Sequence, residues 1–448
     1  MTECSTDTTQ VTFSFFKPQV VTAAFDDGAV TSNAGVALLA QLDQKLGWTE
    51  RLSRCVLDGR NPLFVIHSVH DLLRQRIYQI ALGYEDCDDA DRLRTDPLLK
   101  AACGRHPFED ADLASQPTFS RFENARRSVE VYDLNDAALG HYIDRRRRRR
   151  PPRRIVIDID STDDPTHGQQ ELTFFHGYYD QHMYHPLLCF DGESGELFGV
   201  LLRPGNAAAA EDAVGELRRI VRRLRAKWPK VKLLIRGDAG FATPGFYEFC
   251  ESEGNVDFIV GFSTNVRLAK MAEPLSSQAK EIFEHTGVKA RLYSETPYRA
   301  RTWKRDRRVI MKAEYDGQGH NDRFLVTSLR ARADRVYDWY RKHGDVENRI
   351  KDLKNALFAD RLSCHRFVAN SMRLVLHAAA YVLMWEMRAR LEGTELARAQ
   401  FDTLRLRLLK IGARVKTTAR RIWVHMTNAC PDRDAWLLLA GRLGAPSG

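Results

Sequence analysis

The sequence lacks paired cysteines, a long apolar run and a nucleotide-binding fingerprint. Its eight cysteines stand at least 16 residues apart, so no CxxC pair exists. That excludes the paired ligands of a zinc ribbon and does not suit a disulfide framework in a chain of 448 residues. Reduced thiols in a cytosolic protein are expected. No stretch approaches the ~18 uninterrupted apolar residues of a membrane span. The longest, 374–385, contains His377 and runs into Glu386 and Arg388. The opening MTECSTDTTQ carries acids and no basic n-region, so no signal peptide is expected. Gly237, Gly240 and Gly245 form no phosphate-cradling loop, and no Walker or dinucleotide motif occurs. A nucleotide cofactor is therefore not expected.

Charge is present in excess of one sign. The net charge is +9, with 44% hydrophobic and 28% charged residues, the balance of a folded chain. Residues 1–144 carry 14 Lys and Arg against 22 Asp and Glu, while the remainder carries 54 against 37. A basic two-thirds suits a polyanionic partner, most simply nucleic acid.

Hydrophobic spacing divides the chain. Residues 1–144 read as a helical domain, with amphipathic stretches at 33–46 and 62–82. Arg145–Arg150 follows, then two prolines that break a helix. Residues 145–153 are expected to be a basic linker whose Arg145, Arg146 and Arg147 clamp phosphates. Strands then alternate with helices across 154–392. Strands are expected at 154–160 (RIVIDID), 168–175, 186–190, 197–202, 232–236, 257–261 and 323–328, with helices at 207–226, 244–253, 336–358 and 368–391. A mostly β insertion is expected near 265–322, and 393–448 form a basic C-terminal extension. His176, His182 and His185 read as a strand edge, not a zinc site.

Three carboxylates stand out by position. Asp160 ends the first strand (IDIDSTDD), Asp238 follows a short hydrophobic strand (LLIRGDAGF), and Glu347 lies on a long helix (YRKHGDVENRIKDLK). Strand ends and one helix can bring three acids into a cleft. Such hard oxygen ligands suit Mg²⁺ or Mn²⁺, and two such ions favour phosphoryl transfer. Asp158 lies on the same strand face as Asp160 and is a rival for the first position.

The order of these motifs resembles DDE transposases of bacterial insertion sequences, whose core is RNase H-like. One branch carries Tyr-x2-Arg-x3-Glu-x6-Lys around the last acid. Tyr340, Glu347 and Lys354 stand at that spacing, with His343 at the arginine position. LLRQRIYQIALGYEDCDDADRLRTDP, DIDSTDDPTHGQQE, YHPLLCF, RPGN and RGDAGF resemble the insertion-sequence thirteen-eighty family within that branch. The resemblance implies that Asp160, Asp238 and Glu347 are catalytic and hold Mg²⁺ or Mn²⁺, two ions in all. Asp160-Ser161-Thr162 matches the Asp-x-Thr wording of the first motif, which favours Asp160 over Asp158. Tyr340, His343 and Lys354 would line the cleft and hold the DNA end by its phosphates, and Trp303 would stack a displaced base. Implied too are terminal inverted repeats as ligand, cut-and-paste transposition by two protomers in a synaptic complex, and action in the bacterial cytoplasm at the nucleoid. A metal-dependent nuclease without strand transfer, and an inactive DNA-binding relative, are the alternatives.

Overall fold

The computed structural model describes residues 10–15, 18–24, 28–147 and 150–445. Its centre is a nine-stranded mixed sheet. Eight strands carry the path: β1 (Arg154–Ser161), β2 (Leu187–Asp191), β3 (Leu197–Leu201), β4 (Lys232–Gly237), β5 (Val256–Phe262), β6 (Ala290–Tyr298), β7 (Arg307–Asp316) and β8 (Arg323–Thr327). Their order is β6-β7-β8-β5-β4-β1-β2-β3. β1, β4 and β5 run parallel, while β2, β3 and β8 join antiparallel.

Strict alternation in RIVIDID gives β1 two different faces. Ile155, Ile157 and Ile159 enter a large core beneath α2 (Ser128–Arg147) and α3 (Ala213–Lys227). Val156 points the other way, into a small cluster with Leu234, Ile259, Val336 and Tyr337. Asp158 and Asp160 follow Val156 on that second face. The helix covering it, α5 (Ala333–Arg341), leads into a 3₁₀ turn at Lys342–Gly344, then α6 (Asp345–Lys351) and a π turn at Asp352–Ala356.

Residues from both chain ends share another core. Leu39 of α1 (Val36–Leu46), Ile77 and Leu134 pack with Phe190, Leu376, Leu404, Leu408 and Leu439. Its central element is α7 (Phe367–Ala389). This helix is apolar and long enough to cross a membrane, yet 83% of its most apolar window is buried inside the protein. It is a core helix here.

Several elements differ from expectation. The helix α2 continues through Arg147, because the first arginines meet acids. Arg145 pairs with Glu196 and lies over the Trp385 ring, and Arg146 sits 3.2 Å from Asp191. Arg147 is 3.6 Å from Asp144. The expected linker at 145–153 thus begins inside a helix, and Arg145 and Arg146 are neutralised internally rather than offered to phosphates. Arg148 and Arg149 lie outside the described residues. The insertion opens with a helix, α4 (Val266–Thr286), that tolerates Pro274 and is capped by Asn265. Its strands β6 and β7 extend the main sheet. The expected helix at 336–358 is instead four successive helical segments with three different pitches.

Candidate active site

The site forms where β1 and β4 end. Their register pairs Arg236 with Asp158. Two residues further along each chain lie Asp160, still in β1, and Asp238, just past the end of β4. In sheets with parallel strands, ligands bind beyond such carboxyl ends. On the other side of β4, Gly237 pairs with Val260, so Gly261 comes level with Asp238. A Cβ on Gly261 would lie 2.8 Å from Tyr340 Oη and 2.9 Å from the Ala239 amide nitrogen. Glycine there lets the Tyr340 phenol reach the end of the sheet.

The three carboxylates have different surroundings. Asp160 is half-buried, and its Oδ1 accepts a 2.8 Å hydrogen bond from the Ser161 amide. Burial pushes its pKa up to about 6; His343 and the Ser161 amide oppose this, while Asp238 and Glu347 add to it. Asp238 is exposed and accepts 2.9 Å from the Gly240 amide, capping the turn Ala239–Phe241. Glu347 is exposed in the first turn of α6. The charges of Asp238 and Glu347 both reach Asp160, so the three acids share one electrostatic site. Among the described residues, no trio of His, Cys, Asp or Glu is already drawn in to metal-holding spacing. The donor chemistry nevertheless fits a hard divalent cation, which would relieve the repulsion from Asp238 and Glu347 that adds to the effect of burial on Asp160.

Asp158 occupies a different environment. It is fully buried, and Arg236 donates to it twice, Nε to Oδ1 at 2.7 Å and Nη2 to Oδ2 at 2.8 Å. Arg349 adds a 3.1 Å bond to Oδ2. Burial pushes the Asp158 carboxyl up, but His343 and Arg236 outweigh it and hold it below its usual value. Both oxygens are committed, and Asp160 is the acid of this strand that faces Asp238 and Glu347.

The residues around the last acid divide. Tyr340 is half-buried, and burial with the Asp238 charge pushes its phenol up to about 12, so it remains neutral and can donate a hydrogen bond. His343 is buried, with Nδ1 3.4 Å from Asp158 Oδ1 and its ring 6.2 Å from that of Tyr340. It turns toward the Asp158 cluster rather than outward to a phosphate, because the 3₁₀ turn tightens the helix at this point. Lys354 donates to Asp163 at its carbonyl (2.7 Å) and Oδ1 (2.8 Å), tying down the loop after β1. The widened π turn carries it there, away from a common face with Glu347. Trp303 is buried, with its ring 5.2 Å from Tyr247 and 5.3 Å from Phe262. As placed it offers no face to a base.

Arg236 and Arg349 are the residues that sequence reasoning missed. One signal was present: alternation puts Arg236 on the same β4 face as Asp238, beside the Asp158–Asp160 face of β1.

Residues 13–445 match a family model described as transposase DDE domain group 1. Among solved structures, a cryo-electron microscopy structure of the piggyBac transposase synaptic complex with hairpin DNA is similar over 83% of this chain and 79% of that one, at 10% identity and a TM-score of 0.42. The Mos1 transposase paired-end complex with left transposon end covers 51% of this chain and 73% of that one, at 13% identity and a TM-score of 0.17. Both superpositions are too loose to transfer a residue. No curated protein gives a significant match.

Proposed function

The chain belongs to the transposase DDE domain group 1 family, whose model spans nearly its whole length, and from this we propose that it is a cut-and-paste DNA transposase of a bacterial insertion sequence. What supports the reading is the placement of Asp160 at the carboxyl end of β1 and of Asp238 just beyond the adjacent parallel strand β4, with Glu347, in the first turn of α6, near enough for its charge to act on Asp160. The strand order around β1 supports an RNase H-like core: β3-β2-β1-β4-β5, with β2 antiparallel and β4 and β5 parallel.

In this reading water attacks the phosphodiester at the element's end, and the 3′ oxygen leaves with a proton. The freed 3′-hydroxyl then attacks a target phosphodiester, forming one P–O bond as another breaks. Asp160, Asp238 and Glu347 would hold Mg²⁺ or Mn²⁺, two ions in all, which supply Lewis-acid stabilisation of the charge developing on phosphate. The neutral Tyr340 hydroxyl would donate to a non-bridging phosphate oxygen. The Asp158–Arg236–Arg349 cluster fixes the strand end behind Asp160, and Lys354 fixes the loop beyond it. Terminal inverted repeats would be the substrate, brought together by two protomers in a synaptic complex at the nucleoid.

The test is strand transfer with paired element ends and Mg²⁺ or Mn²⁺. Asp238→Asn and Glu347→Gln should each abolish cleavage and joining while end binding persists. Cleavage without joining by the wild type would mark a nuclease instead. End binding without nicking would mark an inactive relative.

A further inference from the structure

A basic groove lies at the opposite pole of the sheet from the three acids. β1 and β4 begin side by side there, Arg154 paired with Lys232. The groove, of about 840 Å³, is lined by five cations: Arg153, Arg154, Lys227, Lys230 and Lys232. All five are exposed. Among the described residues Lys227, Lys230, Lys232 and Arg153 have no ion-pair partner, and Arg154 alone meets an acid, Glu193 at 3.2 Å. No acid lines the groove. Pro151, Pro152 and Pro229 form its walls, and their fixed φ angles hold the flanking cations in place at little entropic cost.

We propose that this groove binds the phosphate backbone of duplex DNA continuing from the bound end, outside the reacting base pairs. The proposal rests on the transposase reading for its choice of polyanion. Its geometry is independent of the catalytic acids. Arg154 and Asp160 are six strand residues apart, or ~20 Å at ~3.3 Å per residue. That separation corresponds to about six base-pair steps of duplex, so one short end cannot fill both places by its terminal pairs. The chemistry favours duplex over single strand. Single-strand grooves interleave cations with exposed aromatic faces, whereas the tryptophan here, Trp228, is buried in the groove floor. Contacts would be made to phosphates alone and would read no sequence. This also relocates the phosphate-binding role expected of the arginine run. Arg145 and Arg146 are consumed by internal acids, and the unpaired cations are Arg153, a few residues later, and Lys227, Lys230 and Lys232, from the last residue of α3 onward.

The experiment uses the full chain and random-sequence duplexes of 12 and 40 base pairs. Binding is measured across a salt series for the wild type and for the variant Lys227→Ala/Lys230→Ala/Lys232→Ala. A second variant, Lys270→Ala/Lys280→Ala/Lys304→Ala, removes equal charge from exposed positions elsewhere. The wild type should bind the longer duplex more tightly than added length alone provides. The groove variant should lose that gain, and its log–log salt slope should shrink by up to about 3, near 0.9 per lost phosphate contact. The second variant should keep both. If the groove variant retains the wild-type slope and length dependence, or if both variants lose them equally, the inference is overturned while the transposase reading stands. A wild type that binds neither duplex also overturns the inference, and leaves the transposase reading to the assay with element ends. Capture of the protein by phosphatidylserine vesicles through these lysines, without any change in DNA binding, would assign the groove to lipid and also overturn the inference.

Discussion

Asp158 and Arg236 are clasped in a two-pronged ion pair, 2.7 and 2.8 Å, on neighbouring strands directly behind the carboxylates of the candidate site. Asp158 is 0% exposed and Arg236 3%. Removing one member of such a pair leaves an uncompensated buried charge, at a cost of about 3–5 kcal/mol. Asp158→Asn leaves two guanidiniums, Arg236 and Arg349, facing a neutral amide. Urea unfolding should show a loss of that size. Asp238→Asn, at an exposed position with one backbone hydrogen bond, should unfold close to the wild-type midpoint.

The pH dependence of Asp160 has the opposite sign from that of a salt-bridged acid. Its folded pKa is pushed up to about 6, against about 3.9 in an unfolded chain. The folded state therefore binds the proton more tightly between these values. Its contribution to stability is complete below about pH 4 and is lost as pH rises through about 6. Asp160→Asn removes the charged form, so it should raise the melting temperature by a few degrees at pH 7.5 and leave it nearly unchanged at pH 4. Equal shifts at both pH values would show that the effect is not ionisation.

Divalent cations should reverse that balance. A ligand that binds only the folded chain stabilises it by mass action. Millimolar Mg²⁺ or Mn²⁺ should raise the wild-type melting temperature, and chelation should return it. Asp160→Asn, Asp238→Asn and Glu347→Gln should each lose the response. Thermal denaturation with and without the ion reads this directly, and a full response in all three variants would remove the acids as ligands.

Legibility in the sequence followed local periodicity. RIVIDID alternates, and β1 forms at 154–161 with its isoleucines in one core and its acids on the other face. KLLIRG and DFIVG likewise became strands at the expected places. Where partners are remote, local pattern misleads. The arginine run looks like a linker until Glu196 and Asp191 arrive from the β2–β3 region to pair with it. Pro274 hides a 21-residue helix whose buried side chains, such as Leu268 and Ala279, pack under the inserted strands. Uniform helical spacing from 340 to 354 would place Tyr340, Glu347 and Lys354 on one face. A 3₁₀ turn and a π turn change that phase, and neither has a clear sequence signature beyond Gly344.

Trp303 gives the last test, because packing and base stacking predict different losses. Its ring contacts Tyr247, Phe262 and Tyr298, at 5.2, 5.3 and 5.8 Å, and the Arg307 guanidinium lies over it at 5.1 Å. It is 6% exposed. Truncating a tryptophan packed in this way removes many contacts and leaves a cavity, for about 3–5 kcal/mol. Trp303→Ala should therefore unfold at markedly lower urea. Trp303→Phe keeps most of the volume and should lose much less, with DNA-end binding near wild type under conditions where it is folded. A Trp303→Ala protein of native stability that no longer binds or cuts ends would mean instead that this ring leaves the aromatic cluster to meet DNA.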